Sequence, residues 1–359
     1  MKTFKNYVSF FGVLWIVLSF MGCEQKISIE SAVEEDGAID RTIIFTEVDS
    51  AKVTQNIFGI RAGNGWTADI ELFGRRDDSV ARKDVKYNIT FRKHFNSVSE
   101  ANDEFNSSVD SLFHIRSSFE KKFRWFYTYI YYSDTYASIN RFKYSGEFFT
   151  PEDYAFINRL PAEGRSISKA DSIYLENLTE KVYGQYVLLA MFEEHFQIVL
   201  QAAEKNGVGK QWIDSLHRHK SKMYSYIVKH ADDDDDAFSK AFMIHLMDTL
   251  DIPFPVEKIK KDYQALYREL LPRWNFMITT SQEATFTHAI KLPWDIVDTN
   301  ADSVSSSAVY WKPPMMKFSL RDYTMYVTAR KLNYWTVVVS LVVVMVAILG
   351  LIRRRKPKV

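Results

Sequence analysis

Along the chain the spacing of hydrophobic positions changes several times between two long apolar ends. Residues 41–48, 66–73 and 85–95 carry alternating or short continuous apolar runs, which predict β-strands. Gly59, Gly63, Gly65 and Gly74 punctuate these runs as turn residues do. Over residues 97–113 the period lengthens to that of a helix: Ser99 stands as N-cap, and Phe105, Val109, Leu112 and Phe113 share a face. The stretch 119–132, FEKKFRWFYTYIYY, is dense in aromatic and β-branched residues and predicts one or two long strands.

From about Pro151 to Trp274 the pattern is helical. Residues 169–205 keep a 3.6 period with a very apolar centre, and Gly207 and Gly209 end that helix. Residues 211–230, 237–250 and 256–271 continue as helices, divided by an acidic run and by Pro253 and Pro255. Residues 276–280, 284–292, 308–311 and 316–329 return to strand-like text. The expected fold is therefore α+β: a mostly antiparallel sheet with a packing helix and an inserted block of four or five helices. The last strands are expected to rejoin the first.

The two ends have a different character. Lys2 and Lys5 precede an apolar stretch from Val8 to Met21, the layout of a signal peptide spanning residues 1–22. The segment closes on Ser19-Phe20-Met21-Gly22-Cys23, which resembles a bacterial lipobox with Cys23 as the residue that takes up lipid. Residues 23–40 are polar and are expected to form a tether. Near the other end, residues 335–352 contain no charge and are long enough to cross a bilayer, so a transmembrane helix is expected over 334–352. Arg353, Arg354, Arg355, Lys356 and Lys358 then form a basic tail over 353–359, cytoplasmic by the positive-inside rule. These ends predict an ectodomain in the periplasm, anchored to a bacterial inner membrane, with parts at 41–150, 151–275 and 276–330.

Composition narrows the class of partner. The chain has 359 residues and a formal net charge of +1, which argues against nucleic acid, because a phosphate binder needs an excess of Lys and Arg. Aromatic content of 15% with 13 Gly and 9 Pro implies an ordered core of substantial size. Cys23 is the single cysteine, which leaves no intramolecular disulfide and no Cys-based zinc site.

The layout of lipobox, α+β domain, membrane helix and basic tail resembles the LppM-like group of bacterial lipoproteins. The segment Lys291-Leu292-Pro293-Trp294-Asp295-Ile296-Val297-Asp298-Thr299-Asn300-Ala301-Asp302 is similar to that group's "apolar-Pro-Gly-x-apolar-x-x-Asn/Ser" stretch, with Trp294 where the family has Gly. Ser305-Ser306-Ser307 and Val309-Tyr310-Trp311-Lys312 match the short turn and Trp-containing strand that follow. The resemblance covers roughly 24–150 and 276–359, and the helical block has no counterpart in it. It implies an envelope lipoprotein with a sheet-and-helix domain, one that binds lipid in a cavity, and no catalytic residues.

Candidate chemistry is sparse. Asp232 to Asp236 form an unbroken acidic run in which Asp232, Asp234 and Asp236 offer carboxylates for calcium. Without EF-hand spacing, a solvated linker whose last Asp caps the next helix explains the run better. Glu193, Glu194 and His195, with His217, His219, His230 and His245 on neighbouring helices, lack the Glu-x-x-His pairs of bundle metal sites and read as ordinary polar positions. No phosphate loop, nucleophile elbow or Ser-x-x-Lys pair is present.

One triplet recurs: Asp, then Ser or Thr, then an apolar residue. It places hydroxyls at Ser50, Ser79, Ser111, Ser172, Ser215, Thr249 and Ser303, and resembles the O-glycosylation sequon of one phylum of Gram-negative bacteria. Its ordinary explanation is that Asp-Ser is common at caps and turns. The expected function is a non-catalytic, cofactor-free envelope module that meets the membrane and an envelope protein partner. A lipid or hydrophobic-ligand binder is the alternative, and a hydrolase is a distant third.

Overall fold

The computed structural model describes residues 25–49, 58–73, 86–107, 113–144, 148–230 and 242–354. The fold is mixed α+β with two antiparallel-paired sheets, packing helices and one apolar C-terminal helix. It divides into two compact units. One is built from residues 25–137, 285–314 and 321–359, the other chiefly from 138–284 with 315–320.

The sheet unit begins where the sequence predicts a polar tether. Gln25–Val33 is a strand, β1, and pairs antiparallel with β2, Ile39–Asp49. Its signal is a period of two: Ile27, Ile29, Ser31 and Val33 are buried, while Lys26 is exposed and Ser28 and Glu30 half-buried. The low overall hydrophobicity of this segment hides that alternation, so the tether expectation over 23–40 is corrected for the described part. The tight link to β2 depends on Gly37, whose φ of +95° is open to glycine and costly for other residues.

β3 (Thr67–Leu72) and β4 (Lys86–Phe95) extend one side of a seven-stranded sheet. β7 (Ala284–Lys291), β10 (Ala308–Trp311) and β9 (Ser303–Val304) extend the other, giving the order β3-β4-β2-β1-β7-β10-β9. A register shift between Phe45 and Val48, with Glu47 at φ +61°, is a bulge that returns Val48 to the buried face.

The second sheet has the order β5-β6-β11-β8. Its strands are Ile115–Arg124, Tyr127–Tyr136, Tyr323–Leu332 and Asp295–Thr299 respectively. The aromatic stretch thus resolves into a β5–β6 hairpin, with strict alternation placing Thr128, Ile130, Tyr132, Asp134 and Tyr136 inward. Helix α1, Val98–Ser107, packs Ala101 and Phe105 into this core. The interior is filled by rings: Phe58 meets Phe45, Phe105 and Phe113, while Phe286 meets Phe113 and Tyr136.

The helical unit holds α2 (Pro151–Arg159), α3 (Lys169–Thr179), a π-helical segment (Glu180–Tyr186) and α4 (Val187–Lys205). It continues with α5 (Lys210–His230), α6 (Phe242–Thr249), α7 (Val256–Glu283) and the single turn α8 (Met316–Ser319). Thr150 and Asp153 form a reciprocal capping box on α2. The core is a run of apolar faces, among them Phe192, Phe196, Val199, Leu216, Met223, Met243, Ile259 and Tyr263.

Two sequence expectations are overturned here. Residues 276–280, read as strand from their Phe, Ile and Thr content, lie inside α7, whose propagation overrides local β-preference. Residues 316–319, read as the start of a strand, form α8, and the strand begins only at Tyr323.

Candidate functional site

Several candidate residues fall outside the described residues: Cys23 and the signal segment, Asp232, Asp234 and Asp236, the hydroxyls Ser50, Ser79 and Ser111, and the tail from residue 355. Of the remaining hydroxyls, Ser172, Thr249 and Ser303 are exposed, whereas Ser215 is buried on α5.

The helical Glu and His residues are dispersed among separate partners. Glu193 is bridged by Lys220 at 2.7 Å, and buried Glu194 accepts the backbone N–H of Lys143. His195 Nδ1 lies 2.9 Å from the Tyr263 hydroxyl, and burial pulls the imidazole down to about 3. His219 and His230 sit 2.8 and 2.9 Å from the carbonyls of Ser215 and Tyr226 on their own helix, and His245 is exposed. Glu193, Glu194 and Glu269 line a cleft of about 520 Å³ with Lys143, Gln197 and Gln201. Among the described residues the group whose ligand atoms do converge is Glu34, Asp40 and His94, all exposed and within 4.8 Å. There Asp40 Oδ1 sits 2.8 Å from His94 Nδ1 and raises the imidazole pKa.

A second cluster, unforeseen in the sequence, lies fully buried between the two sheets. Arg41 on β2 aims Nη2 at both carboxylate oxygens of Asp134 on β6, each at 3.0 Å, at the Tyr132 hydroxyl at 3.0 Å and at Ser117 Oγ at 3.2 Å. Its guanidinium lies 5.2 Å from the Phe105 ring centroid, and its Nε and Nη1 have no hydrogen-bond partner among the described residues. Burial acts to raise the Asp134 carboxyl, but Arg41, His288 and Ser117 outweigh it and hold it below the usual range.

His288 on β7 completes the cluster. Burial drives its pKa down to about 4, so the ring is neutral. The Tyr136 hydroxyl lies 2.8 Å from Nδ1, and Nε2 lies 3.2 Å from Ser31 Oγ. Ser31 in turn lies 3.4 Å from Asp134 Oδ2. Ser, His and Asp are thus together, but Ser31 and Asp134 share one imidazole nitrogen and all three are closed to solvent. A catalytic triad needs the carboxylate on the nitrogen opposite the nucleophile, and a substrate path. This arrangement is a hydrogen-bonded structural network. Its sequence signal was a charged residue on an apolar face: Arg41 between Ile39 and Ile43, and Asp134 between Tyr132 and Tyr136.

The third feature is the end of the sheet unit that runs into the last helix. After β11, Asn333 leads directly into α9, Tyr334–Arg354, which is long and apolar enough to cross a membrane and is almost wholly exposed. Asn333 donates its backbone N–H to Phe126 O at 2.7 Å and its amide to Trp125 O at 2.8 Å, and accepts from Thr128 Oγ1 at 2.8 Å. Beside it, Trp294 Nε1 donates to Glu35 at 2.7 Å, with the Lys121 and Lys331 ammoniums 5.3 and 4.6 Å from its ring. Lys331 also pairs with Glu35 at 2.7 Å and, with Trp294, lowers that carboxyl. This clamp ties the β1–β2 turn of one sheet to β5 and β11 of the other.

These features define a mixed α+β protein of two antiparallel-paired sheets, with a bilayer-length helix leaving the end of one strand. In comparison with solved structures it is similar to the folded domain of the LppM protein of Mycobacterium tuberculosis, determined by NMR. The match has 8% sequence identity, covers 88% of this chain and 94% of that one, and has a TM-score of 0.29. It is a distant likeness of fold and carries no argument about function. No family model and no curated protein matches the chain.

Proposed function

We propose that the protein is a membrane-anchored envelope protein whose sheet and helical units form a non-catalytic interaction module on the outer side of a bacterial inner membrane. The observation that carries this reading is α9. An exposed apolar helix of 21 residues spans about 31 Å, the thickness of a hydrocarbon core, and its side chains find few partners within the protein. Its junction with β11 is fastened by the Asn333 hydrogen bonds, so anchor and sheet unit are joined without a linker. The basic cluster after Ile352 favours a cytoplasmic tail, and the lipobox-like segment ending at Cys23 supplies a second, covalent anchor.

Support for an interaction role comes from the outer face of the second sheet. There Tyr127, Tyr129 and Tyr131 form a ladder of half-buried rings, with Tyr129 and Tyr131 stacked at 6.2 Å and Lys122 and Arg330 against them. Rigid aromatic side chains and Arg are what protein interfaces favour. The packed rings between the sheets speak for a filled core more than for a lipid carrier.

The test is membrane fractionation of the full chain against three variants: one whose residues 1–23 are replaced by a signal peptide that is cleaved without lipidation, a chain ended after Asn333, and both together. Either single variant should remain in the membrane fraction after alkaline extraction, and the double variant should be released. Release by the truncation alone would remove Cys23 as an anchor, and retention of the double variant would overturn the two-anchor reading. Native mass spectrometry of the released form adds a second readout, since a bound lipid mass would replace the interaction reading with a carrier.

A further inference from the structure

The tip of the β5–β6 hairpin is chemically wrong for a turn that faces water. Trp125 and Phe126 link the two strands directly, where a two-residue turn ordinarily carries Gly, Asn or Asp. Phe123, Trp125 and Phe126 are 53%, 48% and 45% exposed, a contiguous aromatic patch of the kind that marks an interaction site.

The patch sits against α9. The Phe123 ring stacks on Trp335 with centroids 5.9 Å apart and planes 11° apart, and Trp125 meets the same indole at 6.0 Å. Trp125 Nε1 donates to Ser340 Oγ at 3.0 Å. Ser340 lies six residues beyond Tyr334, about 9 Å along the helix axis. The hairpin therefore reaches past Trp335 to the level of the helix's second turn. Its basic residues are Lys121, Lys122 and Arg124 on β5, with Arg330 and Lys331 across the sheet on β11.

Resting on the reading that α9 spans a bilayer, we propose that the β5–β6 hairpin tip is a second membrane-inserted element, seating Phe123, Trp125 and Phe126 in the interfacial layer of a phospholipid bilayer. A helix that enters the membrane at Tyr334 and Trp335 takes a hairpin bonded to Ser340 in with it. An indole settles at this depth, where its apolar body meets hydrocarbon and its N–H meets a partner, and phenyl rings bury beside it at the headgroup–acyl boundary. Here that partner is the Ser340 hydroxyl. The flanking Lys and Arg side chains stand at the level of the phosphates, where each cation is attracted to anionic headgroups. Two points of insertion fix the tilt of the sheet unit on the membrane; a single helix would leave it free to swing.

The experiment places a photoreactive phenylalanine analogue, p-benzoylphenylalanine, in the full chain at one position at a time, in vesicles of phosphatidylethanolamine and phosphatidylglycerol. The positions are Phe126 at the hairpin tip, Val343 within α9, and Tyr310, an exposed residue of β10. Lipid adducts detected by mass spectrometry are expected at 126 and 343 and absent at 310. Adducts at 343 but not at 126 would overturn the inserted hairpin and leave the anchor intact, whereas none at either position overturns both. In a Phe123→Ser/Trp125→Ser background, whose changes are confined to exposed side chains, the adduct yield at 126 should drop several-fold; an unchanged yield would show the aromatic tip to be irrelevant to depth.

Discussion

Arg41 and Asp134 meet where no water reaches, so neither charge is tolerable without the other. Removing one partner of such a pair costs far more than the pair contributes, because the survivor stays buried and unpaired. Asp134→Asn in the full chain is expected to lower unfolding free energy by about 3–5 kcal/mol, read from urea midpoints in detergent. An Arg41→Met/Asp134→Leu double variant should lose less than either single one, since an apolar pair asks for no solvation.

His288 adds a pH dependence whose sign follows from its neutral, buried ring. Its folded-state pKa of about 4 lies below that of an exposed imidazole, so between pH 6.5 and 4 the unfolded chain binds the extra proton and stability falls as acid is added. His195, at about 3, acts in the same direction in the helical unit. Below that window the depressed Asp134 carboxyl continues the loss as it protonates. Stability measured against pH should decline below 6.5, by up to about 3 kcal/mol for a fully buried imidazole. His288→Gln should flatten part of that slope, and an unchanged slope would assign it elsewhere.

Individual elements depend on a few positions. β1 is central in its sheet, and its link to β2 turns on Gly37, where an added Cβ would lie 2.9 Å from Phe119 Cδ1 on β5. Gly37→Ala combines a disfavoured backbone with that overlap and is expected to cost about 1–3 kcal/mol. A loss near zero would show that the turn can re-form around a side chain. The strand elements were legible wherever alternation was strong, as in 86–95 and 127–136. They were illegible where polar residues filled the outer positions, as in β1, or where a β-rich stretch continued an existing helix, as at 276–280.

For the whole molecule the decisive property is orientation. On the proposed topology the sheet and helical units stand outside the inner membrane, and the positive-inside bias of the cluster Arg353 to Lys358 puts the C-terminal end in the cytoplasm. A green fluorescent protein fused after Val359 should therefore fluoresce, and alkaline phosphatase at the same point should be inactive. The opposite pair of results would invert the topology.

The sequence by itself determined what depends on neighbours along the chain: the apolar helix at the end, the helical block, the aromatic strands and the α+β class. Each is written in a local period or in an uninterrupted apolar run, and needs no distant partner to be read. Only the tertiary structure decided which residues from remote strands share a buried position. The Arg41, Asp134, His288 and Ser31 network joins four strands separated by up to 257 residues. Trp294 finds Glu35 across 259 residues. The hairpin tip reads in sequence as part of a core strand, and becomes a surface feature only when folding sets it beside α9. Burial and pairing are properties of the space between strands, and one chain's pattern records a residue's own face but not who stands opposite.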